Sequence, residues 1–241
     1  MNIKILQLIE GAKEAIGLTV IIDVFRAFTT ACYVFDNGAE KIYPVGDIDL
    51  AYRLKKENPD FFLLGERGGI IQPGFDFGNS PTNIEHVDFT GKTVIHTTSA
   101  GTQGIVNAKN ADEIITGSFV NASAVVRYIR VKNPAQVSLV AMGTGGVKPS
   151  DEDTFFAEYL KNELENESND FSKIVDHLKN YDSAKKFFDP ETEWAPERDF
   201  ELCMSLNRFD FILKAESEKN GLVVLKKILV RKKKLGQFDT K

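Results

Sequence analysis

Leu18-Thr19-Val20-Ile21-Ile22-Asp23 is a continuous apolar run that ends in an acid. A strand buried on both faces reads this way, without polar alternation, and it belongs in a parallel sheet. The acid then stands at the strand's carboxyl edge, where open α/β sheets bind their ligands. A helical stretch follows and closes at Asn37-Gly38, a C-cap signal.

Outward from this unit the same alternation repeats. Strands are predicted at 41–45, 61–65, 93–96, 113–116 and 136–141, and the chain opens on strand-like residues at Met1–Leu6. Helices are predicted at 48–58, 102–108 and 121–131 between most of them. Further on, 152–166 and 171–181 read as charged helices. The segments 209–215 and 222–228 flank an Asn220-Gly221 turn and predict a hairpin, so the sheet is expected to be mixed. The pattern predicts a layered α/β fold with a mixed sheet. With no repeat, low-complexity segment or linker in view, residues 1–241 are read as a single domain.

The chain has 241 residues, and 42% of them are hydrophobic, enough for a sizeable core. The net charge of -5 argues against a general nucleic-acid binder, which needs a basic face to meet phosphates. Charge is uneven: residues 1–150 carry 14 basic and 15 acidic side chains, 151–201 carry 6 and 16, and 202–241 carry 10 and 4. The acidic block is expected to form solvated helix faces. The basic end from about 230 to 241, with Arg231-Lys232-Lys233-Lys234, reads as a solvated, mobile terminus, with a polyanion-binding tail as the alternative. Cys32 and Cys203 lack the spacing of a disulfide framework or zinc site. No signal pattern and no bilayer-length apolar run is present, so a cytoplasmic protein without membrane association is expected.

Five segments gather small, polar and charged residues just after predicted strands. Asp23-Val24-Phe25-Arg26 offers an acid suited to metal binding, nucleophilic attack or base catalysis, and a guanidinium fork suited to phosphate or sulfonate; the alternative is a structural Asp23–Arg26 ion pair. Gly65-Glu66-Arg67-Gly68-Gly69 pairs a carboxylate and a guanidinium with glycines that let amides approach an anion, or it is a plain turn. Gly74–Pro81 reads as a structured loop. His96-Thr97-Thr98-Ser99-Ala100-Gly101-Thr102 is a strand, hydroxyl-rich loop and helix start, one solution to phosphate binding, with ordinary helix capping as the alternative. His96 itself reads as a core histidine. Pro149-Ser150-Asp151-Glu152-Asp153 reads as a loose capping box from Ser150 to Asp153, or as ligands for a hard cation. Common phosphatase signatures are missing. Phe25 stands where an Asp-x-Asp motif needs an acid, and neither cysteine heads a Cys-x5-Arg loop.

Taken in order, these segments resemble the 2-phosphosulfolactate phosphatase family. Ile22–Thr30 is similar to its IDVLRATTT, Gly65–Gly69 to its GERGG, and Gly74–Pro81 to its GFDLGNSP. Thr97–Thr102 is similar to TTSNGT, with Ala100 where Asn is usual, and Gly117-Ser118-Phe119-Val120-Asn121 to GSFLN. Glu152-Asp153 matches an acidic pair before a late helix. The resemblance spans roughly residues 18–160. It implies a three-layer α/β/α sandwich with a mixed, largely parallel sheet, and a Mg2+-dependent phosphatase that converts 2-phosphosulfolactate to sulfolactate, a step in coenzyme M synthesis.

On that footing Asp23, Arg26 and Glu66 are the expected catalytic residues. Asp23, Glu66, Glu152 and Asp153 are the expected pool of Mg2+ ligands. Arg67, Gly68, Gly69, Thr97, Thr98, Ser99, Gly101, Thr102, Ser118 and Asn121 are the expected substrate-binding residues. The partner is a small anionic phosphorylated substrate, and association as a homodimer stays open. The competing readings are a phosphatase of the same fold for another phosphorylated carboxylic acid, and a non-catalytic anion- or nucleotide-binding module.

Overall fold

The computed structural model describes residues 1–230. The basic tail singled out in the sequence, from Arg231 onward, lies outside the described residues. The elements run β1 (Asn2–Gln7), α1 (Leu8–Glu14), β2 (Gly17–Ile22), α2 (Ala27–Asp36), β3 (Lys41–Pro44), α3 (Ile48–Glu57), β4 (Phe62–Gly65), α4 (Pro81–Ile84), β5 (Thr93–Thr97), α5 (Gly101–Asn107), β6 (Ala111–Gly117), α6 (Ala122–Lys132), β7 (Gln136–Ala141), α7 (Asp151–Glu165), α8 (Phe171–Lys179), α9 (Asp182–Phe188), α10 (Glu197–Cys203), β8 (Phe211–Ser217) and β9 (Val223–Leu229). A single 3-10 turn, Phe119–Asn121, precedes α6.

The nine strands form one mixed sheet in the order β1-β7-β2-β6-β8-β9-β3-β5-β4, with helices on both faces, in keeping with a three-layer α/β/α sandwich. Strands β1, β7, β2 and β6 are parallel to one another, as are β3, β5 and β4. The expected C-terminal hairpin, β8–β9, is antiparallel and joins the two groups. Three antiparallel pairings in succession set the groups nominally in opposite directions. Sheet twist of roughly 20–25° per strand accumulates to about 100° between β2 and β5, which lets both carboxyl edges turn toward one cleft.

The core shows the same wrapping. Ile21 and Val140 from one group and Ile42, Leu64 and Val94 from the other pack around Phe28, Tyr33 and Phe35 of α2. The alternate residues of β2, namely Leu18, Val20 and Ile22, face the opposite side and meet Phe156 and Leu160 of α7 with Val125 and Ile129 of α6. The apolar run of β2 is therefore explained: both of its faces are covered. In α7 the buried residues Phe156, Leu160 and Leu164 recur every fourth position, so one stripe docks while the charged face meets water. Helix α3 covers the outer face of β3, β5 and β4 through Ala51 and Leu54. Among the described residues, no helix is long and apolar enough to cross a membrane.

Candidate active site

Asp23 follows directly on β2 and Glu66 on β4, Ser99 is the second residue after β5, and Glu152 lies in the first turn of α7. All four side chains line one cleft of about 550 Å³. Arg26, Gly68, Gly69, Asn79, Lys186 and Trp194 line it too. Close approach is built in by glycine. A Cβ on Gly101 would meet Asp23 Oδ2 at 2.8 Å, so α5 starts hard against that carboxylate. Gly69 has φ +87°, and a Cβ there would run into the Trp194 ring.

The carboxylates differ in what they have free. Asp23 Oδ1 accepts the Ala27 amide at 2.9 Å, and Oδ2 makes no hydrogen bond among the described residues. Glu152 is buried, and its Oε2 has no partner at all among them. Glu66 is fully engaged: Oε1 accepts from the Ser99 amide at 2.7 Å, and Oε2 accepts from the Gly69 amide at 2.6 Å and the Ser99 hydroxyl at 3.1 Å. Asp153 is equally engaged, with Oδ1 on the Val24 amide and Oδ2 on the Gly143 amide, each at 2.8 Å. Burial pushes the Asp23 carboxyl up to about 7; the Ala27 amide opposes this, and the charges of Glu66 and Glu152 add to it. Burial likewise holds the Asp153 carboxyl well above the usual range, helped by Glu152 and Asp23.

A buried, unpartnered carboxylate oxygen beside a second carboxylate that resists ionisation is an incomplete electrostatic arrangement. A bound cation would complete it. No group of three or more His, Cys, Asp or Glu side chains is placed to hold a metal among the described residues. Mg2+ does not need one, since it is commonly held by one or two carboxylates with water and substrate phosphate completing the shell. Asp23 and Glu152 fit that role. Glu66 and Asp153, expected in the same pool, have their oxygens taken by backbone amides and act as clamps between loops.

The structure places the other residues singled out in the sequence as follows, beginning with the alternative of an Asp23–Arg26 ion pair. Arg26 does not pair with Asp23: its Nη1 meets Asp199 Oδ2 at 2.6 Å and donates to the Trp194 carbonyl at 2.8 Å. Arg67 does not line the cleft. Its donors go to the carbonyls of Glu66 and Gly46 and to Thr97 Oγ1, which binds the β4 and β5 loops together. Thr98 and Thr102 bond to each other, with the Thr98 amide on Thr102 Oγ1 at 2.9 Å and the Thr102 amide on Thr98 Oγ1 at 3.2 Å, which fixes the loop without reaching the cleft. Ser118 and Asn121 are buried at the end of β6, where Asn121 Oδ1 accepts the Ser118 amide at 3.1 Å. The capping box from Ser150 to Asp153 is absent: Ser150 makes no side-chain cap bond, and the Asp153 carboxylate accepts from Val24 and Gly143 instead of from the Ser150 amide.

The residues that sequence reasoning missed sit far along the chain or inside loops. Asn79 lines the cleft, and its Oδ1 lies 3.3 Å from His96 Nε2. Burial pulls the His96 ring down to about 3, so it is neutral. A proton on Nε2 donates to Asn79 Oδ1 and leaves the Asn79 amide group free to donate elsewhere. Asp199 carries four bonds: Arg26 on one oxygen, and Ser80 Oγ, Thr82 Oγ1 and the Thr82 amide on the other. The turn formers of Gly74–Pro81 signalled an ordered loop but not its partner.

The family model described as 2-phosphosulpholactate phosphatase matches residues 3–218. A protein of Bacillus subtilis (strain 168) named probable 2-phosphosulfolactate phosphatase is 31% identical over 204 residues, covering 83% of this chain and 88% of its own. A protein of the same name from Caldanaerobacter subterraneus subsp. tengcongensis is 34% identical over 218 residues, with 85% and 88% covered. One from Carboxydothermus hydrogenoformans is 44% identical over 145 residues, 60% of each chain. With nearly its whole described length matched, the chain belongs to the 2-phosphosulfolactate phosphatase family.

Proposed function

We propose that this chain hydrolyses 2-phosphosulfolactate to sulfolactate and inorganic phosphate with Mg2+ as cofactor, a reaction of the coenzyme M biosynthetic type. The observation that carries the reading, beside family membership, is the pair Asp23 and Glu152, two cleft carboxylates with uncommitted oxygens.

Phosphate monoesters hydrolyse extremely slowly in water, so the requirement is charge neutralisation and alignment more than covalent chemistry. Mg2+ bound by Asp23 and Glu152 would supply charge for the phosphoryl oxygens and acidity for a water. The chain's own residues do the rest. Glu66 clamps the Ser99 and Gly69 amides, so the loops after β4 and β5 present one rigid edge to the cleft. Asp153 ties the loop after β2 to the loop after β7 through Val24 and Gly143, which fixes Asp23 from behind. Trp194, leaning on Gly69 and 5.3 Å from the Arg26 guanidinium carbon, closes one wall against water. Asn79, oriented by His96, offers an amide donor to the ligand.

The test is phosphate release from 2-phosphosulfolactate, 2-phospholactate and phosphoglycerate, with and without Mg2+. A family-type enzyme prefers the first and needs the metal. Ligand-induced thermal stabilisation with no phosphate release from any of them would leave only the anion-binding module.

A further inference from the structure

Among the described residues, Arg26, Lys148 and Lys186 are the cations that line the cleft. Lys148 is exposed at the rim. Arg26 is buried but already neutralised, with Asp199 at 2.6 Å. Lys186 differs from both. It projects from α9, half-buried, and no carboxylate pairs with it among the described residues. Its hydrogen bond is a long one, 3.4 Å to the Phe25 carbonyl. Its ammonium stands 5.1 Å from the centre of the Phe187 ring and 5.9 Å from that of Phe25. The adjacent Lys185 is exposed and bonded to Asp182 at 2.6 Å.

An ammonium is a compact, strongly hydrated charge; the ring faces offset part of its lost hydration, but without a counter-ion the rest of that cost stands. Burial accordingly lowers the proton affinity of Lys186, and the charge of Glu152 pulls the other way. Such a cost is repaid when a ligand brings the missing anion. A phosphorylated sulfo-acid brings three acid groups into a cleft already bearing Asp23 and Glu152. With Arg26 neutralised by Asp199 and Arg67 turned away, Lys186 is the deep cation still available among the described residues.

We propose that Lys186 binds the acid group of the substrate that is not transferred, the carboxylate or sulfonate beside the phosphate ester, and thereby sets the preference for phosphorylated acids over simple phosphate esters. The assignment rests on the phosphatase reading above and adds to it the residue that selects the substrate class.

Full-length wild type, Lys186→Gln, Lys186→Arg and Lys186→Met are compared on 2-phosphosulfolactate, 2-phospholactate and p-nitrophenyl phosphate. Lys186→Gln is expected to lose about 10- to 100-fold in kcat/KM on the acids, the range for a charged hydrogen bond, and about tenfold less on the simple ester, with Lys186→Arg recovering much of the loss. A loss on both acids identifies the carboxylate; a loss on 2-phosphosulfolactate alone identifies the sulfonate. An equal loss on all three substrates places Lys186 on the phosphoryl group and overturns the proposal, as does no loss on any. Lys186→Met keeps the aliphatic stem and serves if the glutamine variant does not fold. Trp194 is the single tryptophan and lines the same cleft, so its fluorescence reports sulfolactate binding independently of turnover. If the wild type hydrolyses none of the substrates, the phosphatase reading fails. The fluorescence titration then decides Lys186 alone: at least tenfold weaker binding by Lys186→Gln supports it, and equal binding or none by the wild type overturns it.

Discussion

Arg26 and Asp199 lie 173 residues apart in sequence and meet at 2.6 Å, at 3% and 0% side-chain exposure. The pair joins the loop after β2 to α10, and Asp199 extends the tie to the start of α4 through Ser80 and Thr82. Breaking such a pair on one side strands a buried charge. Asp199→Ala is expected to cost about 3–5 kcal/mol, read as a lower urea midpoint at unchanged m-value. A loss under about 1 kcal/mol would show that Arg26 finds water or another partner.

Asp23→Asn should separate stability from activity. The ordinary carboxyl value of 3.8 rises to about 7 in the fold, so between those values the folded chain holds more protons than the unfolded one. This contribution to stability is greatest below the unfolded value and is lost as pH rises through 7. Asparagine can still accept the Ala27 amide and carries no charge. In metal-free protein at pH 8 the variant should therefore be more stable than wild type, by up to about 1.4 kcal/mol per pH unit of the window, and the two should converge near pH 4. Its turnover should fall by ~10²-fold or more. A variant less stable at pH 8 would make Asp23 a structural residue.

His96 has the opposite sign. Its folded value of about 3 lies below the ordinary 6.5, so the unfolded chain takes up the proton first. The stability this neutral ring contributes is present above pH 6.5 and is lost as pH falls toward 3. Unfolding free energies of wild type and His96→Gln should diverge through that window with a slope of about 1.4 kcal/mol per pH unit. Parallel curves would show that the ring is protonated in the fold.

Glu152 and Glu66 should respond differently to metal. Glu152→Gln removes one of the two uncommitted carboxylates, so the Mg2+ concentration for half-maximal activity should rise by about tenfold or more. Glu66→Gln turns an acceptor of three bonds into a group with only one good acceptor, so it should lower the melting temperature and leave the Mg2+ requirement close to wild type. Equal shifts in Mg2+ requirement for both variants would place Glu66 on the metal as well.

What was legible in the sequence was local. Leu18–Asp23 announces a two-face-buried strand with an acid at its end, and the structure places β2 at Gly17–Ile22 with helices on both faces. The β8–β9 hairpin was readable from Asn220-Gly221. Illegible features depend on partners far apart in the chain. Whether Arg26 faces Asp23 or Asp199 is decided by where α10 docks, and no local pattern encodes that. Lys185 and Lys186 are adjacent and alike in sequence, yet one meets solvent and the other the cleft, because the register of the short helix α9 against α10 selects between them. Arg67 sits in a glycine-rich turn that suits anion binding, but three acceptors nearby take its donors first. Glu152 and Asp153 are neighbours whose side chains leave α7 in different directions, so an acidic run alone cannot say which one is free.

The most direct measurement is phosphate release from 2-phosphosulfolactate by the purified full-length chain, with Mg2+, after exhaustive chelation, and on adding Mg2+ back. The account predicts release with Mg2+, its loss on chelation, its recovery on add-back, and at least ~10²-fold less release from Asp23→Asn under the same conditions. No release with Mg2+, or an undiminished rate after chelation, would contradict it.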